Sequence, residues 1–367
     1  VISRAAVIHG LNQPFVIEEV EWDDPREDEV AVRVAACGVC YSDYHAVNGD
    51  YPMIYPAVLG HEGVGIVEQV GEKVTRVKPG DKIVMSWMPS CGHCPACVHG
   101  QGQLCDRGAR LLSGERDDGS NRMHGIKGNR ITQFSFLSGF SEYVVIPEDG
   151  CIPLDPDIDL IKVPVVGCRA PTGIGAVINT ADVEPASTAL VVGLGGVGFN
   201  VIQGLKLAGA HIIIAADIVD KKRWAMDWGA THYIDSSKQD IVDEVLQITG
   251  IGVDYAFDAI GRGDVQSACV AATHKGGRVV WVGVAPHTQK TVDLDAMNMT
   301  LYQKTVGGTC YGGASPFEMV PQIMRLYRSG IVKLDELITK YYSLDNINDA
   351  FDDMLAGRNI SGCIRMD

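Results

Sequence analysis

Ala189-Leu190-Val191-Val192-Gly193-Leu194-Gly195-Gly196-Val197-Gly198 decides the fold of this chain. Its apolar run has no polar alternation, as expected of a parallel strand covered on both faces. The run opens into Gly193-x-Gly195-x-x-Gly198, and the next residues, VIQGLKLAG (201–209), continue as an amphipathic helix. A GxGxxG alone is a weak signal; the strand before it and the helix after it make it a dinucleotide fingerprint. Gly193, Gly195, Gly196, Val197 and Gly198 then offer backbone amides to a pyrophosphate at the positive end of that helix. A second apolar run, 212–216, ends at Asp217, nineteen residues beyond Gly198. A carboxylate there accepts from adenosine ribose hydroxyls and repels a 2′-phosphate, so NAD is expected over NADP. Strand-like runs at 231–235, 253–258, 277–283 and 304–309 bring the count to six. The predicted fold is α/β, with a doubly wound six-stranded parallel sheet.

Towards the N-terminus the pattern changes. Residues 1–34 alternate apolar and polar, with breaks at Gly10, Pro14 and Pro25, and 60–70 and 82–85 continue in β-like runs, which predicts a mainly β domain. Between these runs lies CGVCYSDYHAVNGDYPMIYPAVLGHE (37–62), with a thiol at Cys40, an imidazole at His61 and polar groups at Ser42, Asp43, His45 and Glu62. Cys40 or His61 alone would read as core packing. Together they are the donors and supporting groups of an open zinc site, which wants a third protein ligand, and Cys168 supplies one. Cys91-Gly-His-Cys94-Pro-Ala-Cys97, followed by Cys105, has a different meaning. Four thiolates close a tetrahedral ion completely, so this second zinc braces the lobe at 88–108 and activates nothing. Three cysteines at equal short spacing plus a fourth fit that better than a redox pair, and His93 and His99 are left as loop residues. Residues 107–136, polar and glycine-rich with the charged run ERDDGSNR (115–122), are expected as an extended surface excursion. The expected domains are 1–170, carrying the catalytic site and the zinc lobe, 171–311 for NAD, and a segment 312–367 that returns to the first domain with helical patterns at 316–329 and 346–356 and a strand at 363–366.

The 367 residues, 46% hydrophobic and 21% charged, suffice for two domains with large cores. A formal charge of −15 argues against a nucleic-acid partner or attraction to an anionic membrane and favours small-molecule chemistry. Residues 1–20 hold no Lys/Arg-flanked apolar run, and no stretch approaches the roughly 20 apolar residues of a span, so a cytoplasmic location is expected.

GHEGVG (60–65), the four-cysteine lobe, Cys40 with Ser42-Asp43, GLGGVG and Cys168 together resemble the zinc-dependent medium-chain alcohol dehydrogenases along essentially the whole chain. The resemblance implies a GroES-like catalytic domain, with Cys40, His61 and Cys168 on a catalytic zinc and Cys91, Cys94, Cys97 and Cys105 on a structural one. It also implies Asp43 and Glu62 as supporting carboxylates, and Ser42 linking the substrate oxygen to the cofactor ribose with His45 at the surface end of that proton relay. Thr172 and Val284 would contact NAD, with Asp217 and Lys222 on the adenosine ribose. Tyr51, Trp87 and Phe136 would line a pocket suited to a primary or aryl alcohol and its aldehyde, in a homo-oligomer. IHGLN (8–12), PSCGHCPAC (89–97), INTADV (178–183) and the 111–136 excursion are most similar to bacterial nicotinoprotein dehydrogenases, which keep NAD(H) bound and are assayed with a nitroso dye. Tyr41 and Ser361 depart from relatives that place arginine on the pyrophosphate. Arg110 and Arg169 stand as alternatives for gripping an anionic substrate. A thiol-adduct formaldehyde dehydrogenase and an unsaturated-aldehyde reductase share these motifs, whereas a non-catalytic zinc-braced binding protein would not need Cys40, His61 and Cys168.

Overall fold

In the computed structural model, which describes residues 1–366, the fingerprint follows the first of six parallel strands: Thr188–Val192, Ile212–Asp217, His232–Asp235, Val253–Asp258, Thr273–Trp281 and Thr305–Gly308. Counted along this unit their order is 3-2-1-4-5-6. The order reverses beside the first strand, and ligands of such sheets sit outside the carboxyl ends of the strands at that point. Helix Gly196–Ala208 leaves the first strand and stops at Gly209, whose φ of 81° no branched residue would adopt. Close packing fixes its start: a Cβ on Gly198 would lie 1.8 Å from the Gly193 carbonyl oxygen. Helix Arg169–Gly175 crosses it at Gly173, where a Cβ would meet the Val197 carbonyl at 2.5 Å. Leu190, Val192, Ile214, Ala216, Ala256 and Val279 form the sheet's buried core.

The other unit comprises Val1–Cys168 with the segment from Ser315 on, so the chain divides at 168/169 and 314/315 where the sequence suggested 170/171 and 311/312. Its central strand, Glu29–Val39, pairs antiparallel with Glu62–Val70, with Tyr143–Pro147 and, from the far end of the chain, with Gly362–Arg365. Lys340–Ser343 adds a further strand beside the last, one that the sequence pattern did not suggest. A second sheet is built on Ile2–Ile8 and Val16–Trp22. Among the described residues no helix is long and apolar enough to cross a membrane.

The expectation of a surface excursion over 107–136 is overturned for 121–125 and 131–136, which are largely buried, while 117–119 and 126–130 are exposed. Met123, Ile131 and Phe134 sit in the hydrophobic core, and Met123–Gly125 and Thr132–Gln133 are strands of the second sheet. Two arginines of the charged run turn inward because they find a partner there, while Asp117 and Asp118 stay exposed. Arg116 and Arg122 are 9% and 3% exposed, and each donates from Nε to one oxygen of the buried Glu29 carboxylate, at 2.5 and 2.7 Å. Arg116 also donates to the carbonyls of Gly114 and Val145, so the buried charges are hydrogen-bonded as well as paired. Burial opposes ionisation of Glu29, but the Arg116 charge outweighs it and holds the carboxyl below its ordinary value.

Removing Glu29 strands two guanidinium groups in the interior. Glu29→Ala is expected to lower unfolding stability by about 3–5 kcal/mol, read as a fall in the denaturation midpoint. Because the folded carboxyl titrates below its ordinary 4.5, its contribution is fully present above that pH and lost as pH falls. The gap between wild type and Glu29→Gln should therefore shrink on acidification; a gap unchanged down to acid pH would contradict the pairing.

Candidate active site and metal centres

Cys40, His61 and Cys168 reach one point from three local structures. Cys40 caps helix Tyr41–Asn48, His61 follows Gly60 at the start of strand Glu62–Val70, and Cys168 ends the turn Pro164–Gly167. Asp43 couples two of these. Its Oδ2 accepts from the Cys40 amide (3.3 Å), and its Oδ1 from the Gly60 amide (3.0 Å) and from His61 Nδ1 (2.9 Å). Gly60 permits the turn, with φ of 95° and a backbone that a Cβ would drive into Phe140. Gly167 packs beside the second loop, where a Cβ would be in ordinary contact with Glu62 Cα at 3.5 Å.

The donor atoms of Cys40, His61, Glu62 and Cys168 all lie within 4.8 Å of one another, and all four residues are buried. Asp43 holds the proton of His61 on Nδ1, which leaves Nε2 with the lone pair a metal needs. That Nε2 is buried and makes no hydrogen bond within the protein. Burial works against charge on the ring, yet Asp43 and Cys40 together push the His61 pKa well above its ordinary value, so a proton competes with the metal for Nε2. Two thiolates and a neutral imidazole balance a zinc ion's charge, and the donors fit one. Glu62, expected only in support, is brought close enough to donate as well.

Cys91, Cys94, Cys97 and Cys105 also lie within 4.8 Å of one another. The Cys91–Cys97 and Cys94–Cys105 sulfur separations are both 4.0 Å, near the roughly 3.8 Å of a tetrahedron with zinc–sulfur bonds of about 2.3 Å. Backbone N–H groups of Asp106 and Cys97 hold the Cys94 thiol down at about 6, while burial pushes Cys105 up to about 12. His93 and His99 are exposed and bonded to the carbonyls of Cys91 and Pro95.

Around the catalytic donors, the His61 ring meets Trp87 and Phe134 edge-on, at centroid distances of 6.5 and 6.1 Å. Phe136, the expected pocket residue, lies instead under the Arg116 guanidinium and lines a cavity of about 220 Å³ with Arg26, Glu29 and Arg107. Ser135 and Phe136 both have positive φ, which turns neighbouring rings apart, and composition gives no warning of that. Tyr51 stays beside His45, 5.2 Å between centroids, with its hydroxyl pKa raised by burial. His45 is 6% exposed, so it is not itself the surface end of a relay; its Nδ1 pairs at 2.7 Å with Asp50, which Asn48 also contacts. Asp50 went unnoticed in the sequence, although Asn-Gly-Asp after a helical His is a local turn signal. Arg110 pairs with Asp117 at the surface.

In the nucleotide-binding unit, Asp217 accepts from the Leu194 and Val219 amides at 2.7 and 2.8 Å. Its lysine neighbour is Lys221, whose Nζ is 3.4 Å away, whereas Lys222 is exposed at the start of helix Lys222–Trp228. Gly195 leaves open space where a Cβ would meet nothing within 4 Å, and Thr172 Oγ1 is buried without a hydrogen-bond partner. Val284, exposed, follows the fifth strand with its backbone against Gly261. A cradle of this shape with an orphan hydroxyl fits a dinucleotide.

An open metal site on a β unit and a fingerprint on a doubly wound sheet define a zinc- and nucleotide-dependent oxidoreductase. Residues 26–156 match the alcohol dehydrogenase GroES-like domain family and residues 196–329 the zinc-binding dehydrogenase family. The chain is 39% identical to alcohol dehydrogenase B of Mycobacterium tuberculosis and 40% identical to the NDMA-dependent alcohol dehydrogenase of Amycolatopsis methanolica, covering 99% of this chain and 98% of each relative. The crystal structure of benzyl alcohol dehydrogenase from Acinetobacter calcoaceticus superposes with a TM-score of 0.94 at 33% identity over all of both chains. The chain belongs to the zinc-dependent medium-chain alcohol dehydrogenases.

The two metal sets separate by experiment. Cys40→Ala should abolish turnover and leave one zinc per chain in a folded protein, while Cys94→Ala opens a closed brace and should cost mainly stability. Metal analysis beside thermal unfolding checks this, and equal activity loss without destabilisation in both variants would refute the division.

Proposed function

We propose that this chain oxidises primary or aryl alcohols to aldehydes, reversibly, with NAD, and that it retains the nicotinamide through purification. The observation that carries the reading is the Asp43-tied donor set with its orphan His61 Nε2. Cys40, His61 and Cys168 would hold a zinc ion, which when bound would supply a Lewis acid to the alcohol oxygen, and the glycine loop would hold NAD, the hydride acceptor. Ser42, on the helix that Cys40 caps, receives the proton. His45, one turn on, is the base, with Asp43 and Glu62 supporting the metal side. The His45–Asp50 pair extends the path, because His45 is buried and Asp50 is more exposed. Asp217 selects against a 2′-phosphate, with Thr172, Val284, Lys222 and the glycine loop completing the cofactor contacts.

Aromatic rings at Trp87, Phe134 and Tyr51 support an aryl substrate. Arg110, taken up by Asp117, gives no grip for a carboxylated thiol adduct. A homo-oligomer is the assembly we infer: among the described residues strand Thr305–Gly308 pairs on one side only, and the helix leading into it exposes Met297 and Leu301. Cysteines kept as thiols and metal ligands, outside disulfides, suit the cytoplasm.

Benzyl alcohol should exceed ethanol in kcat/KM by about tenfold or more, on the order of one buried-ring contact. Phe134→Ala should erode that preference and Phe136→Ala leave it, and the reverse pattern would move the pocket to Phe136. Denaturing the desalted protein should release nearly one nicotinamide per chain. Activity strictly dependent on added NAD, with none released, would rule out retention.

A further inference from the structure

A dinucleotide brings two phosphate charges to the fingerprint loop of a chain whose own formal charge is −15. Tyr41 and Ser361 offer hydroxyls and no charge. Within the nucleotide-binding unit, one arginine stands at the loop. Arg169 opens helix Arg169–Gly175, which approaches helix Gly196–Ala208 closely because Gly173 and Gly204 have no side chains; a Cβ on Gly204 would sit 3.0 Å from Val177 Cβ. The crossing lays the Arg169 side chain over Gly196. A Cβ on Gly196 would lie 2.5 Å from Arg169 Cδ, 3.1 Å from Nη1 and 3.3 Å from Nε. Gly196 is therefore the residue that makes room for this arginine.

Gly196 is the first residue of its helix, so a guanidinium that is 3% exposed sits at the positive end of a helix dipole. An anion placed between the guanidinium and the helix end interacts favourably with both. Two further features point to the same ligand. Thr172 Oγ1, three residues along the Arg169 helix and so on the same face, is buried without a hydrogen-bond partner. Gly195 leaves the adjoining space open.

We infer that Arg169 is the cationic clamp of the cofactor pyrophosphate, held over Gly196 so that its planar fork and the helix amides grip the same phosphates. The inference rests on the NAD reading of the site. It removes Arg169 from the candidates for an anionic substrate and gives retention of NAD(H) a specific charge.

The test uses the full zinc-loaded chain as wild type, R169Q, R169K, G196A and the G196A/R169Q double variant. Binding of NADH is read by fluorescence and of ADP-ribose by calorimetry, with adenosine as a competitor. R169Q should weaken NADH and ADP-ribose roughly ten- to hundredfold, the range of one charged hydrogen-bonded contact, and leave adenosine unchanged. R169K should recover part of the loss. G196A should weaken ADP-ribose in the wild-type background by displacing the arginine, and add nothing in R169Q. Where nicotinamide is carried through purification, its release should be faster by the same factor in R169Q. Equal ADP-ribose affinity in R169Q overturns the assignment, as does an adenosine loss of the same size, a binding loss seen only together with loss of zinc, or a G196A effect undiminished in R169Q. Failure of the wild type itself to bind NADH or ADP-ribose would instead sink the cofactor reading.

Discussion

One buried carboxylate, Asp43, holds the catalytic end of this protein together. It is fully inaccessible, and such a charge is tolerable only when its oxygens are satisfied. They are, by the Cys40 amide, the Gly60 amide and the His61 ring, so the same bonds that offset its burial fix two metal-bearing loops to each other. The cap of a helix, the tautomer of a histidine and the entry to a strand thus share a single constraint.

Glu29 answers the same physical problem elsewhere in the unit, with two arginine side chains added to the Arg26 amide. The two solutions differ in what they leave behind. At Asp43 two of the three donors, the Cys40 amide and the His61 ring, belong to metal ligands. At Glu29 the Arg116 and Arg122 side chains span from a distant segment and pin 107–136 to the central strand. A carboxylate at a strand end thereby decides whether a charged segment is core or surface.

That contrast explains what could be read from the sequence. Cys91, Cys94, Cys97 and Cys105, the glycine loop and Asp217 carry their chemistry in their spacing, because the chain between them is short or follows a regular strand and helix. The positions of Cys40, His61 and Cys168 were likewise foreseeable, since an open metal site demands a third donor. Local pattern was silent where partners come from far along the chain. ERDDGSNR reads as solvated charge until Glu29 is seen to receive two of its arginines. Phe134 and Phe136 are indistinguishable as letters, and positive backbone angles at Ser135 and Phe136 separate them. Lys221 and Lys222 differ by one helical step, which sequence spacing does not resolve to the residue.

The strand Gly362–Arg365 has a consequence for how the molecule is made. It completes the sheet of the first unit by pairing with Glu29–Val39, across the entire length of the nucleotide-binding unit. During synthesis the sheet lacks that edge until 197 further residues (365 − 168) have emerged beyond Cys168, a wait of roughly 10–40 s at about 5–20 residues per second. The nucleotide-binding unit is continuous and can close on itself in that interval. The first unit meanwhile leaves residues 36–39 of its central strand open on one side, Tyr143–Pro147 already covering 29–33, and such an open edge is one on which nascent chains aggregate. The four-cysteine lobe needs only residues near 91–105, so early capture of zinc there orders part of the waiting unit before its sheet is complete.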